Sequence, residues 1–237
     1  MDSEYLLLIS IVAGICTALG AVLLFIKRSW SSRSLAMFLG LASGVMIGVV
    51  VFDLIPSFLF FPGFEKGLIG LLIGFFLLRF ISNFLFSNSL RGKSLASLGY
   101  LIMLGIAVHD LPEGMAIALG NEIKTRTGMV IALGIGIHNI PEGMAIAAPL
   151  IMGGISRIRI LKQTLLVGLV TPLGTILGMF MVAVLPGILP FLLGLASGIM
   201  LYLVIYELWP QAILRGKKSR WFGFWLGIFI ILIATFL

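Results

Sequence analysis

Long apolar segments follow one another along almost the whole chain, and each is about the length of a membrane crossing. A spanning helix needs about 20 mostly apolar residues. Eight segments meet this requirement, and only short polar connections separate them. Their predicted bounds are Tyr5–Ile26, Leu35–Ile55, Phe64–Phe86, Leu95–Leu119, Gly128–Ile151, Leu161–Leu185, Ile188–Trp209 and Trp221–Leu237. The pattern predicts an all-α integral membrane protein with eight transmembrane helices and no separate soluble domain.

Composition and charge agree with this prediction. Of the 237 residues 60% are hydrophobic and 11% are charged, whereas about a quarter are charged in a typical soluble domain. The net charge of +7 comes from basic residues gathered in alternate connections. The connections after spans one, three, five and seven hold Lys27, Arg28 and Arg33; Arg91 and Lys93; Arg157, Arg159 and Lys162; and Arg215, Lys217, Lys218 and Arg220.

Basic connections favour the cytoplasmic side of a membrane. The charge therefore predicts a multi-pass protein of the cell membrane with both termini outside the cytoplasm. Because topology accounts for the positive charge, we expect the lipid bilayer as a partner and no nucleic acid.

An internal repeat relates the two ends of the chain. The segment Leu39–Met46 in span two matches Leu193–Met200 in span seven, and the match continues from Asp53-Leu54-Ile55-Pro56 to Glu207-Leu208-Trp209-Pro210, an offset of 154 residues. The two spans run in opposite directions, so the repeat is inverted, as in many secondary transporters. We expect inverted halves at 1–94 and 152–237 around a central pair of helices at 95–151. Close helix packing would explain the small residues of the repeat, but it would not explain the matching acid and proline.

Two near-copies of one polar motif lie in the central pair of spans. One runs from His109 to Ala118 and the other from His138 to Ala147, and together they hold both histidines and three of the nine acidic residues. Histidine and glutamate four positions apart lie on the same helix face. Ionisable groups at membrane depth are expensive and are functional candidates by default.

The motifs predict a divalent metal site between two helices. Imidazole nitrogens and carboxylate oxygens suit zinc, iron(II), manganese or cadmium. The ligands would be His109, Glu113, His138 and Glu142. Asp110 and Asn139, about 100° further round their helices, could serve a second, adjacent position. Proline within each motif would open the helix locally around the site.

Other interpretations of the motifs stay open at this point. The histidines could be packing residues or members of a proton relay without metal, although neither explains the same pairing twice. A membrane-embedded zinc metallohydrolase would use similar ligands, but the sequence lacks the protease signature His-Glu-x-x-His. We therefore expect no enzyme activity and no catalytic residue. Within transport, a passive channel with the same site remains an alternative to a carrier.

These residues together resemble the ZIP (Zrt/Irt-like) family of divalent metal-ion transporters, most closely its short prokaryotic members. The resemblance covers essentially the whole chain and includes the paired His-x-x-Pro-Glu-Gly motifs. It implies eight helices in a 3+2+3 arrangement and a homodimer. It also implies that zinc, or a similar divalent ion, is the substrate rather than a cofactor and enters the cytoplasm by alternating access.

The resemblance also implies roles for individual residues. One metal position would use His109, Glu113, His138 and Glu142, with the span-two Met46, which could equally be a packing residue. The second would use Asp110, Asn139 and the two shared glutamates. Thr171 stands where many members have a glutamate before proline, so we expect the second position to be weak.

The remaining membrane acids suggest a pathway. On the predicted orientation, Asp53 lies near the outer end of span two and Glu207 near the inner end of span seven. They could form the entrance and exit, although an acid at the headgroup level would also fit. The connection at 87–94 contains no histidine, so metal sensing by that loop is not expected.

Overall fold

The protein is a bundle of long apolar helices in a computed structural model that describes residues 3–27, 29–60, 62–85, 94–185 and 187–236. Within those ranges, eight helices are long and apolar enough to cross a membrane, and no strand occurs. The predicted all-α membrane class is therefore confirmed. Arg28, Arg91 and Lys93, and the connection at 87–93, lie outside the described residues.

The helical bounds follow the predicted spans closely. Four spans are single α-helices: span three at Phe64–Leu85, span four at Leu95–Ile123, span five at Thr125–Met152 and span eight at Lys217–Phe236. Span one is an α-helix at Ser3–Leu23 followed by a 3₁₀ turn at Leu24–Ile26, and span six consists of α-helices at Arg157–Gly168 and Val170–Val184. Spans two and seven each have a π-helix between two α-helices: Ser32–Val49, Val50–Leu54 and Ile55–Leu59 in span two, and Leu189–Tyr202, Leu203–Leu208 and Trp209–Arg215 in span seven.

Polar residues determine where several of the helices begin and end outside the apolar segments. Ser31 and Ser94 cap spans two and four, each side chain accepting a hydrogen bond from a backbone N–H three residues later. Such caps satisfy N–H groups that have no partner within the helix. Span four continues to Ile123, because polar residues are compatible with a helix once it leaves the apolar layer, and only Lys124 separates it from span five. Span five ends at Met152, and Gly154, two residues later, adopts a φ of 83°, which glycine tolerates.

The repeat-related spans two and seven contain a π-helix at the same place. In span two the N–H of Ile55 donates to the carbonyl of Val50, and in span seven Trp209 donates to Val204 in the same way. A proline follows each donor and cannot supply an N–H of its own. The wider turn thus lets both helices continue through the proline instead of ending there.

Glycines allow close contacts between helices at positions that the internal repeat relates to each other. A Cβ atom added to Gly44 would overlap the carbonyl of Phe224, joining spans two and eight, and one added to Gly198 would overlap the carbonyl of Leu71, joining spans three and seven. Gly44 and Gly198 differ by the repeat offset of 154 residues, and Leu71 and Phe224 differ by 153. Similar contacts join span one to span five and span four to span six. Small residues at such crossings let two backbones approach closely.

Spans one and six cross at a pair of glycines that are themselves related by the repeat. A Cβ on Gly14 would overlap the carbonyl of Gly168, and a Cβ on Gly168 would overlap that of Gly14. Both halves of the chain therefore meet at backbone contact distance, with no room for a side chain.

Gly14→Ala should destabilise the bundle, because its methyl group forces spans one and six apart. Overpacking of this kind costs about 1–3 kcal/mol, so we expect a lower melting temperature of the purified protein in detergent. Gly136→Ala is the matched control, since the nearest atom to an added Cβ there lies at an ordinary 3.6 Å. Equal melting temperatures for both variants would contradict the contact.

Candidate metal centre

The two polar motifs face each other at the centre of the bundle. Spans four and five pack along one another, and both remain α-helical through Pro112 and Pro141. Six motif side chains are buried, with at most 3% of any residue exposed; they are His109, Asp110, Glu113, His138, Asn139 and Glu142. The apolar helices thus enclose a compact polar group.

Histidine and glutamate pair across the two helices instead of along each one. His109 Nε2 lies 3.3 Å from Glu142 Oε1, and His138 Nε2 lies 3.1 Å from Glu113 Oε2. The sequence spacing places the histidine and the glutamate of each motif on one face of their helix. These two faces point towards each other, into the same gap between the helices. The nearest carboxylate of each imidazole therefore comes from the opposite helix, and the site depends on the packing of spans four and five.

His109 is oriented for coordination through one nitrogen. Its Nδ1 lies 3.1 Å from the carbonyl oxygen of Gly105, and because a carbonyl only accepts, Nδ1 carries the hydrogen. In a neutral ring Nε2 then has the free lone pair. A backbone carbonyl commonly orients metal-binding histidines in this way.

Asp110 joins the group more closely than the helical angle predicts. Its Oδ1 lies 3.5 Å from His109 Nε2, and ligand atoms of His109, Asp110 and Glu113 all lie within 4.8 Å of one another. Oxygen atoms without a hydrogen-bond partner occur on Asp110, Glu113 and Glu142. Buried carboxylate oxygens normally have partners, and a divalent ion would satisfy these and offset their charge.

The residues assigned to a second position are less well suited to ligation. Asn139 Nδ2 donates to the carbonyl of Ala13 in span one at 3.0 Å, which leaves Oδ1 without a hydrogen-bond partner. Thr171 is fully buried and its hydroxyl also has no partner. Its carbonyl packs against Gly114, one turn after Asp110. Thr171 therefore lies beside the central helices, but it brings a neutral hydroxyl there.

A cavity of about 300 Å³ leads to the polar group from one end of the bundle. Asp53, Glu113 and His138 line it, together with Lys124 and Arg126 near its mouth. Asp53 is exposed to this space, where its Oδ1 accepts a hydrogen bond of 3.5 Å from Ser57. Neither the spacing nor the type of Ser57, Lys124 and Arg126 in the sequence indicates that they line a cavity.

Glu207, the repeat counterpart of Asp53, lies in a different environment. It is only 6% exposed, and its Oε1 accepts a hydrogen bond of 3.3 Å from Ser82 in span three. Met46 is also fully buried and packs in the apolar core. The two acids assigned to the ends of the pathway are therefore unlike, since one faces open space and the other is enclosed.

Comparisons with known proteins agree with this architecture. A family model described as ZIP zinc transporter matches residues 87–235. The chain is 32% identical to zinc transporter ZTP29 of Arabidopsis thaliana, with 90% of this chain and 87% of the relative covered. It is 31% identical to zinc transporter ZupT of Oceanobacillus iheyensis, with 90% of each covered, and 28% identical to ZupT of Chlorobaculum parvum, with 97% and 95% covered. The chain belongs to the ZIP family.

Membership of this family confirms the resemblance found in the sequence. The family consists of transporters, and the relatives named above are called transporters rather than enzymes. The metallohydrolase alternative therefore has no support, and a multi-pass membrane protein is consistent with the eight helices.

Glu113→Gln should lower the affinity of the purified protein for zinc by about tenfold or more, because it removes a carboxylate from the buried group. Mutating even the outer partners that orient metal ligands typically costs about 10- to 100-fold in affinity, and loss of a ligand should cost at least as much. Glu122→Gln makes the same chemical change at an exposed position further along span four and should bind as tightly as the parent. Titration calorimetry measures both, and equal affinities would exclude Glu113 as a ligand.

Proposed function

We propose that this chain carries divalent transition-metal ions across the cell membrane, with zinc as the preferred substrate and cadmium, iron(II) and manganese as further ones. The observation that carries the proposal is the buried group of two imidazoles and three carboxylates beside a cavity. Such groups are costly inside a bilayer unless a partner offsets their charge. The names of the relatives support the choice of zinc.

The metal would be held chiefly by His109, Glu113, His138 and Glu142, with Met46 as a further sulfur donor. The short distances between the imidazoles and the opposite carboxylates support this set. Asp110 lies close enough to His109 to take part. The donors are the nitrogen and oxygen atoms that zinc prefers.

A second and weaker position would use Asp110, Asn139 and the shared glutamates Glu113 and Glu142. Thr171 contributes no negative charge there. The amide nitrogen of Asn139 is engaged with a backbone carbonyl, so only its oxygen remains to ligate. Fewer charged donors reduce the attraction for a divalent ion, which is why we infer an auxiliary site.

Ions would reach the site past Asp53 and leave past Glu207. Asp53 lines the cavity that leads to Glu113 and His138, which supports its role at the entrance. If the basic connections are cytoplasmic, as proposed from their charge, both termini and the mouth of this cavity are extracytoplasmic. Import into the cytoplasm is proposed on the family resemblance.

The proposed architecture is a 3+2+3 arrangement with inverted halves at 1–94 and 152–237 around the central helices at 95–151. The matching glycine contacts of spans two with eight and three with seven support it. Transport would proceed by alternating access, in which the site opens first to one side and then to the other. We also propose a homodimer, on the family resemblance alone.

Metal uptake into proteoliposomes tests transport through this site. The purified parent should take up zinc with saturable kinetics, and the double variant His138→Ala/Glu142→Ala should lose most of that uptake. Parallel runs with cadmium, iron(II) and manganese rank the substrates, and linear uptake without saturation would favour a channel. No uptake by a parent that still binds zinc would overturn the proposal.

The basic residues at the mouth should slow the approach of cations. Lys124→Gln/Arg126→Gln is expected to raise the uptake rate at low ionic strength by about two- to fivefold, since local charge steers ions into clefts. The gain should shrink near physiological salt, where the screening length is about 8 Å. Lys66→Gln is the control, because Lys66 approaches the carbonyl of Gly187 and does not line this cavity. An equal gain from the control variant would contradict the effect.

A further inference from the structure

The two halves of the protein differ in how closely spans two and seven pack on the central helices. In span four, Gly105 is covered by Leu203 of span seven, which an added Cβ would overlap. The corresponding glycine of span five is Gly134, 29 positions later like the motif itself. There the nearest atom to an added Cβ is Asp53 Oδ2, 3.9 Å away. Val49, the repeat counterpart of Leu203, lines the cavity instead of covering the glycine.

Glu207 and Asp53, each four residues after Leu203 and Val49, follow the same division. Glu207 is enclosed and accepts a hydrogen bond from the Ser82 hydroxyl of span three. Asp53 faces the cavity, and its hydrogen bond comes from Ser57 of its own span. Glu207 therefore has an interhelical hydrogen bond at the closed end of the bundle. At the open end, the hydrogen bond to Asp53 recorded among the described residues comes from its own helix.

The repeat identifies a counterpart for Ser82. Span three packs on span seven as span eight packs on span two: a Cβ on Gly70 would overlap the carbonyl of Phe191, and one on Gly223 would overlap that of Met37. Gly70 and Gly223 are 153 residues apart. The same offset takes Ser82 to Thr235, which also carries a hydroxyl group. Thr235 is exposed in this structure, and Asp53 accepts its hydrogen bond from Ser57 instead.

We propose that Ser82 and Thr235 are alternate latches of the transport cycle. The Ser82 hydroxyl binds Glu207 while the cavity beside Asp53 is open. In the opposite state Val49 covers Gly134, Leu203 leaves Gly105, and the Thr235 hydroxyl binds Asp53. The two hydroxyls thereby set the equilibrium between the states. This inference rests on the proposed alternating access and goes beyond it by naming the residues that hold each state.

Equivalent isoleucines of spans five and four provide reporters for the two states. Ile131 lines the open cavity and is only partly buried, whereas Ile102, 29 positions earlier, is fully buried. Ile131→Cys should react with a water-soluble thiol reagent in the present state, and Ile102→Cys should react in the opposite one. Each is built on Cys16→Ala, which removes the single native cysteine, and modification is measured on purified protein in detergent, where both ends are accessible.

The ratio of the two modification rates follows the equilibrium between the states. Ser82→Ala should raise the Ile102→Cys rate relative to the Ile131→Cys rate by about three- to tenfold, where tenfold corresponds to about 1.4 kcal/mol. Thr235→Val, which keeps the side-chain shape, should lower the ratio by a similar factor, and Thr235→Ser should leave it unchanged. Ser197→Ala is the matched control, since this buried serine of span seven bonds the Leu193 carbonyl of its own helix.

The latch assignment is overturned if Ser82→Ala leaves the ratio unchanged or if Ser82→Ala and Thr235→Val move it in the same direction. Zinc uptake by the same proteins in proteoliposomes separates this result from the transport proposal. Saturable uptake by the parent with an unmoved ratio would refute the latch alone. Absence of uptake by the parent would refute transport.

Discussion

The burial of three carboxylates beside two imidazoles is the constraint on which the rest of the structure depends. Asp110, Glu113 and Glu142 are almost entirely buried, and several of their oxygens have no hydrogen-bond partner. The cost of such an arrangement is high in a low-dielectric interior. A divalent ion would offset that cost, so the clustering of buried charge that destabilises the protein on its own would also favour binding of a metal ion.

Close helix packing makes this polar group geometrically possible. Cross-helix pairs such as His109 with Glu142 need spans four and five to keep a defined rotation and distance. The glycines at the helix crossings restrict this rotation and distance. Gly114 lies against the backbone of Thr171 in span six, and Gly143 lies against that of Thr17 in span one. The central helices are thus held from both sides by backbone contacts that leave little freedom, while the neighbouring spans cover them with apolar side chains.

The two motifs are alike in sequence but are used differently. Asp110 adds a charge next to His109, whereas Asn139 at the matching place donates to the carbonyl of Ala13. An aspartate could not make that donation when ionised, since a carboxylate only accepts. Because one motif has an acid where the other has an amide, Asp110 adds negative charge beside His109, whereas Asn139 joins span five to span one.

The sequence by itself determined the eight spans, the twin motifs, the internal repeat and the family, because hydropathy, residue type and spacing are local properties of the chain. Only the tertiary structure decided that histidines pair with glutamates of the opposite helix, that Gly105 orients His109, and that Ser82 meets Glu207. Those contacts depend on the rotation and separation of helices far apart in the chain. The internal repeat does not predict which end of the bundle has the open cavity. The two halves have similar sequences, so either of them could form the closed end.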